Sequence, residues 1–137
     1  MSKSEPTIQK YMTTQPYSID AGETIVTAVD LMKKFNIRHL PVMKNGKVAG
    51  IVSDRDIKLA ESIQGLEVEK LPIVDVCVEH PYTVHPETPV SEVALTMASM
   101  HYGSAIVLSN EKLVGIFTTV DACRALAEVI AQRFHTK

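Results

Sequence analysis

The sequence contains no tryptophan and few other aromatic residues, with three phenylalanines and four tyrosines among 137 residues. Proteins that bind single-stranded nucleic acid use aromatic side chains as stacking platforms, and a duplex binder needs a clear excess of Lys and Arg. This chain has 14 Lys and Arg against 16 Asp and Glu, which gives a net charge of −2. The composition therefore argues against a nucleic-acid partner.

Cysteine is scarce, and long apolar runs are missing. Cys77 and Cys123 are too few for a disulfide scaffold and belong to no Cys-x-x-Cys pair, so we expect reduced thiols packed as small hydrophobic side chains. No stretch approaches the ~18 consecutive apolar residues of a membrane span. No apolar signal segment follows the N-terminal lysine. We therefore expect a cytoplasmic protein with no membrane insertion.

The most informative feature that is present is an internal repeat. Pro16-Tyr17 returns 65 residues later as Pro81-Tyr82, and Gly50-Ile51 returns at the same distance as Gly115-Ile116. Between these pairs the identities lie 64 residues apart, where Thr24, Val26, Val29 and Leu31 match Thr88, Val90, Val93 and Leu95. We therefore expect a duplicated structural unit with a one-residue gap that is recovered after the first hairpin.

Each copy predicts the same order of elements. Apolar residues at helical spacing predict a helix near 24–35 with Thr24 as its N-cap. Asn45-Gly46 between two apolar runs predicts a hairpin, and a second helix follows over about 54–62. The other copy predicts a helix over 90–100, strands at 104–108 and 113–117, and a last helix with an apolar stripe of Cys123, Leu126, Ala127 and Ile130.

These elements predict an α+β fold of two β-α-β-β-α repeats. One copy cannot bury both faces of a three-stranded sheet, so we expect the repeats to pack together with approximate two-fold symmetry. The predicted boundaries are an N-terminal extension with a short helix at 1–13, a first repeat at 14–62, a linker at 63–74 and a second repeat at 75–137.

Both copies end their hairpin with glycine, two apolar residues, a hydroxyl residue, two variable positions and an acid. The hydroxyl residues are Ser53 and Thr118, and the acids are Asp56 and Asp121. A hydroxyl that opens a helix lies beside unpaired N–H groups and suits a phosphate. A carboxylate one turn later can accept ribose hydroxyls. The same spacing is that of a capping box, so ligand binding and helix capping are both open interpretations.

The duplicated pattern of Pro-Tyr-Ser/Thr, helix, apolar strand and Gly-x-x-Ser/Thr-x-x-Asp resembles a tandem pair of CBS (cystathionine-β-synthase) domains, the Bateman module, from about Ile8 to Leu126. The resemblance implies two clefts between the repeats that bind AMP, ADP or ATP, with S-adenosylmethionine or an NAD-type ligand as an alternative. It also implies that the acids hold ribose, that the hydroxyls lie near phosphate and that the starts of the middle strands line adenine. The ligand-binding residues expected from the resemblance and the motifs are Thr14, Ile37, Arg38, His39, Leu40, Pro41, Ser53, Arg55, Asp56, Glu79, Tyr102, Gly103, Ser104, Ala105, Ile106, Thr118 and Asp121.

The two copies are expected to differ in charge. Arg55 corresponds to Val120, and Arg38-His39 is aligned with Tyr102-Gly103, so positive charge is concentrated on the first motif. Arginine offers forked donors to phosphate, although Arg55 is equally interpreted as a solvated residue at a helix start.

The sequence contains no nucleophile elbow, no Walker-type loop, no paired catalytic carboxylates and no convergent set of metal ligands. We therefore expect neither catalysis nor a metal site. We expect a stand-alone regulatory sensor of an adenine nucleotide, forming a homodimer and acting in trans on an unidentified protein. The alternative is a ligand-free dimerisation scaffold whose Ser/Thr-x-x-Asp motifs are only helix caps.

Overall fold

The computed structural model describes residues 5–135, so the first four residues of the predicted extension and the last two of the predicted second repeat lie outside the described residues. In chain order the helices and strands are α1 (Ile8–Tyr11), β1 (Thr13–Thr14), β2 (Ile19–Asp20), α2 (Ile25–Phe35), β3 (His39–Lys44), β4 (Lys47–Ser53), α3 (Asp54–Glu61), β5 (Val78–Glu79), β6 (Thr83–Val84), α4 (Val90–Met100), β7 (Ser104–Ser109), β8 (Lys112–Thr118) and α5 (Thr119–Phe134). Two 3-10 turns, Val68–Lys70 and Ile73–Asp75, precede β5. The order confirms the predicted strand–helix–strand–strand–helix plan in both repeats. Within the described range, none of the helices has the length and hydropathy to cross a membrane.

Residues Pro16–Pro81 form one compact unit, here called the contiguous unit. Its sheet has the order β2-β3-β4-β5, with β2 parallel to β3 and the other neighbours antiparallel. Helix α2 buries Ile25, Ala28 and Met32 in a core that also contains the fully buried Leu40 and Ile73. The 3-10 turn that follows the first repeat therefore contributes to the core of that repeat.

The second unit is discontinuous in sequence, because it combines the described residues up to Gln15 with those from Tyr82 onward. The sheet of this discontinuous unit has the order β1-β8-β7-β6, and β1 is antiparallel to β8. Ile8 of α1 is fully buried in a core with Val93 and Phe117. Residues 8–14, which precede β2 in sequence, thus complete the sheet and core of the unit that contains the second repeat.

The two short edge strands occupy equivalent positions. In β1, Thr14 lies opposite Gly115 of β8, and in β5, Glu79 lies opposite Gly50 of β4. A residue with positive φ follows each strand, at Gln15 (48°) and His80 (53°). Strand β1 therefore directly precedes β2 in sequence but pairs with β8. Strand β5 likewise directly precedes β6 but pairs with β4.

The two repeats are related by a constant offset of 65 residues, and the predicted one-residue gap is wrong. Helices α2 and α4 begin and end 65 residues apart, and both finish at a left-handed C-cap, at Asn36 (φ 52°) and His101 (φ 60°). The offset of 64 instead aligned the half-buried Leu31 with Leu95, which is 69% exposed. It matched residue types that face different ways on the helix.

Both β-hairpins turn through two residues with positive φ. Asn45 (53°) and Gly46 (77°) connect β3 to β4, whereas Asn110 (51°) and Glu111 (65°) connect β7 to β8. Positive φ at both central residues is the requirement of a type I′ turn, so the hairpin predicted at Asn45-Gly46 is confirmed. Glu111 takes the conformation that Gly46 takes in the first repeat, and its Cβ makes that conformation cost about 1–2 kcal/mol.

The predicted apolar stripe of the last helix lies on its exposed face. Helix α5 buries Asp121 and Ala125, whereas Leu126 is 60% exposed and Cys123, Ala127 and Ile130 are also exposed. The periodicity identified an apolar face but not what it packs against. The prediction that both cysteines pack as small hydrophobic residues is therefore wrong for Cys123, although both thiols are free.

Candidate functional site

The first motif lies where β4 ends and α3 begins. The Ser53 hydroxyl accepts a hydrogen bond from the Asp56 N–H (3.1 Å), and the Ser53 N–H donates to Oδ2 of Asp56 (2.9 Å). This is the reciprocal capping box that the spacing predicts. The start of α3 is therefore fixed by the side chains of the motif itself. By contrast, Thr24 occupies the N-cap of α2 as predicted, but its side chain makes no capping hydrogen bond.

The capping box leaves much of the Asp56 carboxylate available. Within residues 5–135, Oδ2 accepts the Ser53 bond and Oδ1 accepts none. A carboxylate offers about four lone-pair sites, so capping occupies only a part of its capacity. Helix capping and acceptance of further hydroxyl groups are therefore compatible at Asp56.

The second motif lies where β8 ends and α5 begins, and its carboxylate is more fully engaged. Asp121 is 5% exposed, and its Oδ2 accepts hydrogen bonds from the Thr118 N–H (2.9 Å) and hydroxyl (3.3 Å). Its Oδ1 accepts from Nη1 of Arg124 at 3.1 Å. Arg124 was not among the predicted ligand-binding residues, although its spacing of three residues from Asp121 on a helix was an available signal.

In the contiguous unit, the strand start that was predicted to line adenine lies beside the first motif. The Asp54 N–H donates to the Arg38 carbonyl oxygen at 3.0 Å, and His39 lies opposite Ser53 in the sheet. Residues 37–41 are therefore held next to the start of α3.

The discontinuous unit repeats this arrangement. The Thr119 N–H donates to the Gly103 carbonyl oxygen at 3.2 Å, and Ser104 lies opposite Thr118. Arg38 is thus equivalent to Gly103, and His39 to Ser104. The predicted alignment of Arg38-His39 with Tyr102-Gly103 is wrong by one residue, because it assumed the gap in the repeat. Arg38 and Arg55 still have no charged equivalent, since positions 103 and 120 are Gly and Val, but Arg124 adds a positive charge beside the second motif.

The edge strands divide the remaining predicted residues between the motifs. Glu79, opposite Gly50, shares a sheet with the first motif, whereas Thr14, opposite Gly115, shares a sheet with the second. Both side chains are exposed. The contiguous unit thus brings together Ile37–Pro41, Ser53, Arg55, Asp56 and Glu79, and the discontinuous unit brings together Thr14, Tyr102–Ile106, Thr118 and Asp121.

Burial separates the residues that were predicted to line adenine. Four of them, Leu40, Pro41, Ala105 and Ile106, are fully buried, whereas Arg38 and Tyr102 are exposed. The exposed starts of these stretches are therefore the parts available to a ligand.

The electrostatics of the first motif depend on its arginines. Burial lowers the pKa of His39 below its usual value, an effect that the carboxylates of Asp54 and Asp56 oppose and Arg38 reinforces. The imidazole is therefore neutral at pH 7. Arg38 and Arg55 are exposed, and neither forms an ion pair with another described residue. Two guanidinium groups without an ion pair to a described residue thus lie in the same motif as the carboxylates of Asp54 and Asp56.

An open, mostly apolar cavity of about 200 Å³ adjoins the first motif. Its walls come from α3 and the segment that follows, and its lining residues are Asp56, Leu59, Ala60, Ile63, Leu66, Leu71, Asp75 and Val76. Among the predicted ligand-binding residues, only Asp56 is part of this lining. A carboxylate in apolar surroundings makes stronger hydrogen bonds than one in bulk water.

The second motif has an aromatic neighbour at the strand start beside it. Tyr82 stacks on Tyr102 with ring centroids 5.3 Å apart, and Tyr102 is 38% exposed. The constant offset makes Ile37 the equivalent of Tyr102 in the first repeat. The repeated Pro-Tyr pairs are visible in the sequence, but the repeat did not predict that Tyr82 stacks on Tyr102, a predicted ligand-binding residue.

Several known proteins are similar to this chain in sequence or in structure. The chain is 28% identical over 114 residues to the CBS domain-containing protein YhcV of Bacillus subtilis (strain 168), an alignment that covers 83% of this chain and 81% of that protein. It is 30% identical over 119 residues to the L-aspartate semialdehyde sulfurtransferase of Methanocaldococcus jannaschii, which covers 85% of this chain but 22% of the enzyme. The CBS domain pair of protein MJ0100, solved with 5′-methylthioadenosine and S-adenosyl-L-methionine, is similar with a TM-score of 0.82 at 26% identity, over 91% of this chain and 98% of that one.

The CBS domain family matches the chain twice, over residues 8–62 and 73–128. Each match contains one strand–helix–strand–strand–helix repeat with its Gly-x-x-Ser/Thr-x-x-Asp motif. The chain therefore belongs to the CBS domain family, as a tandem pair of CBS domains.

Proposed function

We propose that this CBS pair is a non-catalytic regulatory module that binds AMP, ADP or ATP at its Ser/Thr-x-x-Asp motifs and signals the bound state to a protein partner. The observation that carries the proposal is the Asp56 carboxylate, which caps α3 through Oδ2 and keeps Oδ1 available within the described residues. A ribose supplies hydroxyl donors for such an acceptor. The helix start beside it, with the exposed Arg55, suits a phosphate.

The comparison with the MJ0100 pair supports the adenosine class, because that protein was solved with 5′-methylthioadenosine and S-adenosyl-L-methionine. These ligands share the nucleoside and differ in what replaces the phosphate. The acid that would accept the ribose is present in both repeats of this chain, at Asp56 and Asp121. The nucleoside is therefore the part of the ligand on which the proposal rests.

A specific observation also favours a second candidate, a ligand-free dimerisation scaffold. The complete capping box between Ser53 and Asp56 explains both residues without any ligand. The two candidates differ in one measurable property, which is whether an adenosine-containing compound stabilises the fold.

We expect AMP, ADP or ATP to raise the melting temperature. A ligand at 100 times its Kd adds about 2.7 kcal/mol to the stability of the state that binds it, which at this chain length corresponds to roughly 5–10 °C. Differential scanning fluorimetry with these three nucleotides, S-adenosylmethionine, NAD and a GTP control is the measurement. If none of the adenosine compounds shifts the transition, the scaffold is the better description.

We expect replacement of Arg55 by alanine to weaken binding of ATP and ADP more than binding of AMP. Arg55 is exposed and has no ion-pair partner in the described part of the chain, so its guanidinium can reach a β- or γ-phosphate. We expect a loss of roughly 3- to 10-fold for ATP, largest at low salt. Calorimetry measures it, with Val120→Ala at the equivalent position as the matched control. Equal losses for AMP and ATP would mean that Arg55 only begins a helix.

We also propose that the chain forms a homodimer. Helix α5 exposes a set of apolar side chains consisting of Val120, Leu126, Val129, Ile130 and Phe134, and a second copy is the occupant that would cover them. Light scattering over a wide concentration range should then give twice the chain mass of 15.1 kDa, and Leu126→Lys should shift the population toward the monomer. A monomer at every concentration contradicts the dimer.

A further inference from the structure

The two motif acids differ in how many of their acceptor sites are occupied. Asp121 accepts three hydrogen bonds, two from Thr118 and one from Arg124. A carboxylate has about four lone-pair sites, so Asp121 retains about one. Asp56 accepts one hydrogen bond, from the Ser53 N–H, and therefore retains about three.

One of the two additional bonds comes from the Thr118 hydroxyl, which donates to Asp121, whereas the Ser53 hydroxyl accepts from the Asp56 N–H. The other comes from one position on the helix that follows each motif. Under the constant offset of 65 residues, Arg124 of α5 is equivalent to Leu59 of α3. Leu59 is 69% exposed and has no hydrogen-bond donor on its side chain. The first motif therefore lacks the group that engages Oδ1 in the second.

Arg124 is placed to move away from Asp121 into solvent. Its side chain is 69% exposed, and the Asp121 carboxylate is its one ion-pair partner among residues 5–135. Only the Arg124 side of the pair lies in solvent, because Asp121 is 5% exposed. The hydrogen bonds from Thr118 hold Asp121 at the helix start whether or not Arg124 is present.

We infer that Arg124 is a specificity-determining residue, which competes with the ribose for Asp121 and makes the second motif the weaker site for any ligand recognised through its ribose. This inference rests on the proposed function, in which Asp121 accepts ribose hydroxyls. Two hydroxyls need two acceptor sites, which Asp56 has available. Asp121 has them only after Arg124 has moved away.

The test exchanges the two residues and uses adenosine, which carries no charge that Arg124 could attract. In an Asp56→Asn background, which leaves the second motif intact, Arg124→Gln should tighten adenosine binding by about 2- to 5-fold. In an Asp121→Asn background, Leu59→Arg should weaken it by a similar factor, with Leu59→Gln as the matched control because Leu59 also lines the cavity. Isothermal titration calorimetry measures all of these variants.

A second probe separates competition for the ribose from a general opening of the site. Binding of 2′,3′-dideoxyadenosine, which lacks both hydroxyls, should not change in Arg124→Gln. An equal gain for adenosine and the dideoxy compound overturns the inference, and so does unchanged adenosine binding in Arg124→Gln. If adenosine binds neither the wild type nor any variant, the proposed function fails and the inference fails with it. Binding that ignores residue 124 overturns the inference alone.

Discussion

Replacement of Gly50 by alanine is expected to lower the free energy of unfolding by about 2–3 kcal/mol. A Cβ at this position would lie 2.5 Å from the Val78 carbonyl oxygen and 2.8 Å from Sγ of Cys77. The carbonyl belongs to the backbone of β5, which pairs with β4 at this point, so relief requires the edge strand to move. Chemical denaturation measures the loss, and the melting temperature should fall by roughly 4–11 °C.

Gly115 provides the matched control, because it occupies the equivalent position of the second repeat. There the three atoms nearest to an added Cβ all belong to the side chain of Met12, which is flexible and can change rotamer. We expect Gly115→Ala to cost less than about 1 kcal/mol, and Gly22→Ala, whose nearest neighbour lies at 3.5 Å, to cost least. Equal losses at Gly50 and Gly115 would show that the approach of β5 is not what excludes a side chain from Gly50.

Replacement of Asp56 by asparagine is expected to weaken AMP binding at one motif by about 10- to 150-fold, since a charge-assisted hydrogen bond to a sugar hydroxyl is lost. Asparagine keeps an oxygen that can accept the Ser53 N–H, so the start of α3 is preserved. Calorimetry should show weaker binding at the first motif, with the site at the second motif unchanged. Asp121→Asn should do the same at the other motif.

The control for this prediction is Asp54→Asn, which removes the same charge two residues away. Asp54 pairs with Lys58 at 3.8 Å on the exposed face of α3, so its loss should change AMP affinity by less than about 2-fold. Unchanged binding in both Asp56→Asn and Asp121→Asn would mean that the two acids serve only as helix caps.

The features that the sequence predicted correctly are those specified by neighbouring residues. Asn45-Gly46 specifies its turn because both residues tolerate positive φ, and Ser53 with Asp56 specifies a helix start because the two side chains reach each other's backbone. The repeat then carried the same plan to the second copy, even where Glu111 replaces the glycine. A local interaction is predictable when both of its partners lie within one window of sequence.

The features that were missed depend on partners far away or on the solvent. Thr13–Thr14 is too short to carry a period, and its partner β8 lies 101 residues further along the chain. The apolar face of α5 was identified, but its exposure could not be derived from its spacing. Identical residue types suggested a gap at Leu31 that the burial pattern does not contain. The spacing of three residues between Asp121 and Arg124 is visible in the sequence, but that spacing does not distinguish an ion pair from two solvated side chains.

The discontinuous unit has a consequence for how the chain is made. The contiguous unit has all four of its strands once Glu79 has left the ribosome. Strand β1 is synthesised before the contiguous unit, yet Gly115, its pairing partner, follows 101 residues later, which at ~5–20 residues per second is a delay of roughly 5–20 s. Ile8 is fully buried in the finished unit, but its core partner Phe117 is synthesised only at the end of that interval. A segment that is synthesised before the contiguous unit therefore reaches its native partners only after all four strands of that unit have been made.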